Sequence, residues 1–271
     1  MNLFFADEEY IRSLVRPRKR DSSKGDFGTL AMLCGSRYMT GAARLSAYGA
    51  LRSGVGLLKF FGSEAMIDRM QPMLAEPVFA DTGSFADAKY DAFLCGCGIG
   101  REYDGILPDI LRSCRTHAVL DADCINFLAV HKDLLKELSG RATLTPHPGE
   151  MSRLCGRSVE DIQSDRVHIS LGFAAEYGCV TVLKGYRTVV ACPDGRVCVN
   201  CTGGSGLAKG GSGDVLAGVI GSLNAQGYSP FEAACIGVYM HGLAGDRLSA
   251  RLGESGVIPS DLPGEIGSLL G

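Results

Sequence analysis

The chain of 271 residues contains no tryptophan, and aromatic residues make up only 7% of it. Its 27 basic and 30 acidic residues nearly cancel, leaving a formal net charge of −3. Nucleic-acid binding needs a surface with an excess of Lys and Arg, so we expect no nucleic-acid partner. No segment approaches the roughly 20 consecutive apolar residues of a membrane-spanning helix, so we expect no membrane association.

The N-terminal segment, MNLFFADEEY, also lacks the basic region and the cleavage site of a secretory signal. We therefore expect a cytoplasmic protein. Eleven cysteines are present, but the only CxxC pair is Cys198 and Cys201, and no second pair follows at the spacing of a zinc site. The five histidines form no HxxxH or HxH pattern. Free, buried thiols are the expectation, and no residue is predicted to be a metal ligand.

Apolar runs of strand length alternate with helical segments along nearly the whole chain. The predicted strands cover residues 29–35, 55–61, 90–96, 117–123, 142–146 and 179–185, and the predicted helices include 41–54, 214–223 and about 230–250. Such alternation favours an α/β fold with a doubly wound, mostly parallel sheet flanked by helices on both faces. Residues 188–200 contain Pro-Asp-Gly between two β-type runs and predict an antiparallel hairpin. We expect one domain over residues 1–271.

Glycine and polar residues follow most of these strands, at the sheet edge where ligands of doubly wound folds bind. They form GSRYMTGAA after the first strand, GCGIG, the pair Asp121 and Asp123, PHPGE around His147, and KGYRT from Lys184. Each also has a purely structural interpretation. The glycines suit tight turns, an Asp can cap a helix, His147 can be structural, and Lys184 can be a solvated strand end.

The segment TGGSGLAKGGSGDVLAG, residues 202–218, contains seven glycines and leads into an apolar helical pattern. Glycines at a helix N-terminus let backbone N–H groups point together at an anion. We therefore predict an anion hole formed by four residues: Gly210, Gly211, Ser212 and Gly213. Asp214 stands where a P-loop would have lysine, and it is suited to accept a proton from a hydroxyl that attacks a bound phosphate. An acidic first helical turn without catalytic function is the alternative.

These motifs, in this order, make the chain similar to the ADP/ATP-dependent NAD(P)H-hydrate dehydratases. The shared segments are KGDFGTLAMLCGS, GCGIG, LDAD, LTPHPGE, LKGYRT, N-x-TG, GLAKGGSGDVLAG and HGLAGD, over roughly residues 20 to 262. The resemblance implies a ribokinase-like fold and repair of the S epimer of hydrated NADH or NADPH, with ADP or ATP consumed. It also implies Mg²⁺ on the phosphates, a homotetramer, and a stand-alone dehydratase without the epimerase domain that is fused to it in many relatives.

The resemblance also implies roles for individual residues. Asp214 would be the catalytic base and would contact the substrate. The nucleotide would bind at Lys184, Gly185, Tyr186, Arg187, Thr188 and Gly213, and the substrate at Ala42, Ala43, Gly98, Gly100, His147 and Glu150.

The chain departs from the family at Gly204-Ser205, where Asn-Pro is usual, at Lys209 in place of Thr, and at Cys97 and Ile99 of the GCGIG loop. These departures leave the choice between ADP and ATP open. Two other functions also remain open at this stage. One is a small-molecule kinase of the ribokinase superfamily, such as a hydroxyethylthiazole kinase, and the other is a catalytically inactive nucleotide-binding protein.

Overall fold

The computed structural model describes all residues from 1 to 271 and contains one ten-stranded sheet. The strands are β1 (Asn2–Ala6), β2 (Thr29–Leu33), β3 (Leu57–Gly62), β4 (Val78–Asp81), β5 (Ala92–Cys95), β6 (His117–Leu120), β7 (Ala142–Leu144), β8 (Val180–Leu183), β9 (Val189–Ala191) and β10 (Arg196–Asn200). Their order across the sheet is β1-β10-β9-β8-β7-β6-β5-β2-β3-β4. Only β9 runs antiparallel to its neighbours, so the sheet is mostly parallel.

Helices connect the strands and cover both faces of the sheet. They are α1 (Glu8–Leu14), α2 (Thr40–Arg52), α3 (Glu64–Met70), α4 (Leu107–Ser113), α5 (Ala122–Val130), α6 (Lys132–Glu137), α7 (Pro148–Cys155), α8 (Val159–Ser164), α9 (Arg166–Tyr177), α10 (Ser212–Ala225), α11 (Pro230–Leu252) and α12 (Leu262–Leu270). None of them is both long and apolar enough to cross a membrane.

Two hydrophobic clusters lie on opposite faces of the sheet. Along β2, Leu30 and Met32 belong to the cluster that includes α2, α10 and α11, whereas Ala31 and Leu33 belong to the one that includes α4, α5 and α9. Successive side chains of a strand point to opposite faces, which explains why this strand is apolar at every position. The continuous apolar runs in the sequence therefore reflect a sheet that is buried on both sides.

Helix α10 is enclosed by protein along most of its length, and every residue from Val215 to Ala225 is buried. It approaches α2 so closely that a Cβ on Gly218 would come within 2.0 Å of the Ser46 carbonyl oxygen. Likewise, a Cβ on Gly49 would come within 2.4 Å of the Val215 carbonyl oxygen. Helix α10 is therefore buried on more than one face, because it packs against both α2 and the sheet.

The α/β class, the mostly parallel sheet and its helical layers are confirmed, and β9 and β10 form the predicted antiparallel hairpin near one sheet edge. The two edge strands, β1 and β4, were not predicted from the sequence. Each pairs with a single neighbour, and their exposed apolar residues give no clear alternation. The assignment of residues 1–271 to one domain stays a prediction.

Candidate active site

The order of the strands reverses at β2, because β3 and β4 extend the sheet on one side and β5 to β8 on the other. Such a reversal opens a crevice beyond the carboxyl ends of the two central strands. Here the loops after β2 and β5 meet, with the Gly35 N–H donating to the Cys97 carbonyl at 2.7 Å. A Cβ on Gly98 would lie 2.7 Å from the Cβ of Ala42, so glycine is needed for this close approach.

The N-terminus of α10 faces this crevice and has no side-chain cap. Its N-cap residue, Gly211, has a φ of 104°, a conformation that favours glycine. The N–H groups of Gly210, Gly211, Gly213 and Asp214 donate to no protein acceptor. The Ser212 N–H, in contrast, donates to the Lys209 carbonyl at 3.2 Å. Of the four residues predicted to form the anion hole, Ser212 is therefore the one whose N–H is already engaged.

Asp214 is the third residue of α10, and its half-buried carboxylate lies in an acidic setting. Burial, together with the charge of Asp121, raises the pKa of Asp214 to about 6, and the charge of Lys184 opposes this shift. One carboxylate oxygen from each Asp and the Cys97 sulfur lie within 4.8 Å of one another. A hydrogen bond with the Cys34 thiol and burial raise the pKa of Cys97 well above its usual range, so this thiol remains protonated.

Lys184 follows β8 and places its ammonium group beside the anion hole. The Nζ atom lies 2.5 Å from Asp121 Oδ1 and 3.8 Å from Glu150 Oε2. A Cβ on Gly213 would come 3.3 Å from the same Nζ. Thr145 Oγ1 also donates to Asp121 Oδ1, at 2.6 Å. The ends of β6, β7 and β8 thus assemble one ion-pair network at the first turn of α10.

His147 and Glu150 belong to a capping box at the start of α7. The Nδ1 of His147 accepts hydrogen bonds from the N–H groups of Gly149 at 3.0 Å and Glu150 at 3.4 Å. The His147 N–H donates to Glu150 Oε2 at 2.7 Å. Burial and the charges of Lys184 and Arg153 lower the pKa of His147, so its neutral ring carries the proton on Nε2. Burial raises the pKa of Glu150 despite the nearby Lys184.

A cavity of about 640 Å³ adjoins the anion hole at Ser212 and Gly213 and lies between β8, β10, α10 and α11. Of the residues predicted to bind the nucleotide, Lys184, Gly185, Tyr186, Thr188 and Gly213 line this cavity. Arg187 does not line it; this residue is exposed and has a backbone φ of 54°. Lys184 and Gly213 therefore stand at the boundary between the cavity and the crevice.

The residues predicted to contact the substrate differ in accessibility. Ala42 is half-buried, and Gly100 is held by its N–H donating to Asp123 Oδ2 at 2.8 Å. Ala43 is completely buried, and a Cβ on Gly35 would come within 2.7 Å of its Cβ. Ala43 thus packs beneath the crevice and does not line it.

Several residues of the cavity were missed as site residues, although the N-x-TG and HGLAGD motifs contain them. The Asn200 side chain donates to the carbonyls of Thr202 at 3.0 Å and Val238 at 3.2 Å, which shapes the loop that follows β10. His241 Nε2 donates to the Ser212 carbonyl at 3.0 Å, and burial lowers the pKa of His241 to about 4. Both side chains line the cavity and hold its walls in place.

The outer rim of the cavity contains the positions at which this chain departs from its family. Ser205 Oγ donates to Glu254 Oε2 at 2.5 Å. Lys209 Nζ donates to the Ser255 carbonyl at 2.7 Å and also to the Val257 carbonyl. Ser205 and Lys209 therefore tie the loop between β10 and α10 to the turn after α11.

A comparison with protein-family models matches residues 30–267 to the NAD(P)H-hydrate dehydratase model. The chain belongs to this family. A curated relative, the ADP-dependent (S)-NAD(P)H-hydrate dehydratase of Neisseria meningitidis, is 39% identical over 93% of this chain and 87% of its own length. The chain spans about half the length of the bifunctional NAD(P)H-hydrate repair enzymes that it also matches.

Two solved structures support the assignment of the fold. The ADP/ATP-dependent NAD(P)H-hydrate dehydratase of Bacillus subtilis, co-crystallised with ATP and Mg²⁺, is 33% identical, with a TM-score of 0.86 over 100% of this chain and 98% of that one. A ribokinase-like superfamily protein of Enterococcus faecalis has a TM-score of 0.88 at 24% identity, over 99% and 95% of the two chains. The predicted family and the ribokinase-like fold are confirmed.

The side chains around Asp214 suit a divalent cation that is held mainly by phosphate. Asp121 Oδ1 already accepts from Lys184 and Thr145, and the Cys97 thiol is too soft a ligand for Mg²⁺. The Asp214 carboxylate is the remaining oxygen donor of this cluster. Mg²⁺ commonly takes one or two carboxylates together with phosphate oxygens and water, and the residues present fit that pattern.

Proposed function

We propose that this protein is a nucleotide-dependent (S)-NAD(P)H-hydrate dehydratase that restores NADH or NADPH from its hydrate and consumes ADP or ATP. Membership of the family supports the reaction class. The observation that carries the proposal is the position of Asp214. This half-buried acid stands beside free helix N–H groups and one ammonium group, between a cavity of nucleotide size and a crevice lined by glycine loops.

The first step is transfer of a phosphoryl group to the hydroxyl of the hydrate. Hydroxide is a poor leaving group, and phosphorylation replaces it with phosphate. The Asp214 carboxylate accepts the hydroxyl proton while the oxygen attacks the terminal phosphorus of the nucleotide. The bond from phosphorus to the bridging oxygen breaks, which releases AMP from ADP or ADP from ATP. The N–H groups of Gly211 and Gly213 donate to the phosphoryl oxygens as charge develops there.

The second step is elimination of phosphate. The ring nitrogen lone pair forms a double bond to the carbon that carries the phosphate, and the phosphate departs with the electrons of the carbon–oxygen bond. Loss of a proton from the adjacent ring carbon then restores the dihydronicotinamide. In this assignment the substrate ring occupies the crevice near Ala42, Gly98, Gly100, His147 and Glu150. The Nε2–H of His147 is available there as a hydrogen-bond donor, because Nδ1 is already used by the helix cap.

Mg²⁺ belongs to this proposal as the ion that neutralises charge on the nucleotide phosphates. Asp214 is the protein residue placed to hold it, together with those phosphates. We also propose that the protein acts in the cytoplasm and assembles as a homotetramer. Light scattering during size-exclusion chromatography measures the mass of the assembly, and a mass of one or two chains would contradict the tetramer.

The direct test is to incubate the purified protein with hydrated NADH or NADPH, Mg²⁺ and either ADP or ATP. The absorbance of the reduced nicotinamide should return, and one AMP or one ADP should appear for each cofactor restored. Comparing the two nucleotides and the two cofactors also establishes the preferences. If neither nucleotide restores absorbance, the proposed activity is wrong.

A further inference from the structure

The ammonium group of Lys184 has hydrogen-bonding capacity that the protein does not use. An ammonium carries three N–H donors, and Asp121 Oδ1 is the only acceptor within hydrogen-bond distance of Nζ. The closest oxygen of Glu150, at 3.8 Å, lies beyond that distance. The side chain is only 16% exposed, so solvent has little access to the two remaining donors. A largely enclosed cation with unused donors indicates a ligand that arrives with negative charge.

The same ammonium lies directly against the anion hole. The distance of 3.3 Å from Nζ to a Cβ position on Gly213 places the charge beside the second residue of α10, where free N–H groups converge. The other cavity-lining lysine, Lys209, is held at the outer rim by carbonyl groups. Lys184 is thus the side-chain cation at the position where a phosphoryl group would meet Asp214.

The surrounding carboxylates keep this cation charged and in place. Burial acts against the charge, but Asp121 and Glu150 outweigh it and raise the pKa of Lys184. Asp121 is itself fixed by Thr145 Oγ1 and by the Cys97 thiol, whose sulfur lies 3.6 Å from Asp121 Oδ2. The geometry therefore prevents the lysine side chain from extending towards solvent, and it directs the ammonium at α10.

We propose that Lys184 donates to the phosphoryl group in transfer and is a catalytic residue, with Asp121 as the residue that positions it. In this role the ammonium stabilises negative charge that develops on the phosphoryl oxygens, in addition to any contact with the bound nucleotide. The proposal rests on the proposed function and deepens it, since it separates catalysis by Lys184 from simple nucleotide binding.

The test compares Lys184→Gln with Lys184→Arg, and with Lys132→Gln, the same change at an exposed residue of α6. Nucleotide Kd is measured by calorimetry, and kcat with hydrated cofactor across pH. Removing one donor of developing charge costs on the order of 10² to 10³ in kcat, so we expect such a loss in Lys184→Gln. Nucleotide Kd should change less than about tenfold, and Lys184→Arg should recover part of kcat. If kcat persists and only Kd weakens, Lys184 is a binding residue and the proposal is wrong.

A second readout concerns the positioning role of Asp121. Asp121→Asn removes the carboxylate charge that holds the Lys184 ammonium, so kcat should fall while the KM for the nucleotide stays within about tenfold of the wild type. A merely structural role for the pair would not separate kcat from KM in this way. A wild-type kcat in Asp121→Asn would contradict the proposed arrangement.

Failure of the proposal can be distinguished from failure of the proposed function. If the wild-type protein restores no hydrated cofactor, the dehydratase assignment fails. The contact between Lys184 and a phosphoryl-type anion, which the catalytic role requires, is then tested with inorganic phosphate alone. Phosphate should raise the unfolding temperature of the wild type and of Lys132→Gln, and raise it much less in Lys184→Gln. Equal protection of all three would overturn the proposal without reference to turnover.

Discussion

Helices α7 and α10 begin at the same edge of the sheet with a similar order of residues. Their first turns differ in whether the backbone N–H groups and the acidic side chain are already hydrogen-bonded within the protein. In both, glycine is the second helical residue and an acid is the third, Glu150 in α7 and Asp214 in α10. In α7 the N-cap is His147, and the two side chains satisfy the terminal N–H groups. In α10 the N-cap is Gly211, which has no side chain, so the N–H groups and the acid stay available. The N-cap residue thus decides whether the helix end is closed, with its N–H groups bound by side chains as in α7, or open, with its N–H groups free as in α10.

The largest expected effect follows from neutralising the free acid. Asp214→Asn removes the proposed base and keeps the shape of the side chain, so turnover should fall by about 10² to 10⁴. Nucleotide affinity, measured by calorimetry, should remain close to that of the wild type. Asp161→Asn, at the third residue of the exposed α8 cap, is the control and should retain turnover. A wild-type rate in Asp214→Asn would contradict the role of Asp214 as the base, and α10 would then differ from α7 only in its helix cap.

The second largest loss of turnover is expected from adding a methyl group at the open end of α10. Gly213→Ala introduces no strain from a positive φ, but its Cβ would lie 3.3 Å from Lys184 Nζ, where a phosphoryl group is expected. We expect kcat to fall by about 10- to 100-fold as donors to the phosphoryl group are misplaced. Gly172→Ala, inside α9 with open space around the added Cβ, controls for the change in helix propensity. Equal rates in the two variants would contradict an anion site at α10.

The raised pKa of Asp214 predicts an acid limb in the pH profile. The base must be ionised, so kcat/KM should rise with pH and level off above about 6. One unit below that pKa, about one tenth of the carboxyl is ionised, and the rate should be about tenfold lower. The folded state binds this proton more tightly than the unfolded chain. The contribution of Asp214 to the free energy of unfolding therefore falls as pH rises from about 4 to about 6, between the ordinary pKa of an aspartate and the raised one. A rate that does not depend on pH here would contradict the role of Asp214.

The smallest effect is expected at the closed end. Glu150→Ala breaks the capping box of α7, and loss of such a cap costs about 0.5 to 2 kcal/mol in the free energy of unfolding. Glu150→Gln keeps an acceptor for the His147 N–H and should recover most of this loss. Urea unfolding monitored by circular dichroism measures both variants. If Glu150→Ala were as stable as the wild type, the cap would contribute nothing measurable.

The sequence predicted the central part of the fold better than its edges. Strands that are buried on both faces, such as β2 and β5, leave continuous apolar runs that can be recognised without a structure. The edge strand β1 exposes Leu3 and Phe5 and pairs only with β10, so its pattern differs little from that of a loop. Edge strands depend on a distant partner, and local residues alone do not reveal that partner.

In the site, motifs revealed individual residues but not their contacts. Lys184 and Asp121 are 63 positions apart, and their ion pair depends on the side-by-side arrangement of β6, β7 and β8. The capping role of His147 could have been anticipated, because Pro148 at the first helical position and Glu150 at the third are typical of a helix start. No local signal in the sequence indicates that Ala43 lies beneath the crevice.

The close contact between α2 and α10 has a consequence for hydrogen exchange. Amides in the middle of α10 are enclosed by protein on all sides, so we expect them to exchange only when the whole molecule unfolds. The free N–H groups at its start should exchange quickly in the unliganded protein and become protected when phosphate binds. One helix would then contain both the slowest-exchanging amides of the molecule and its most ligand-sensitive ones, separated by a single turn.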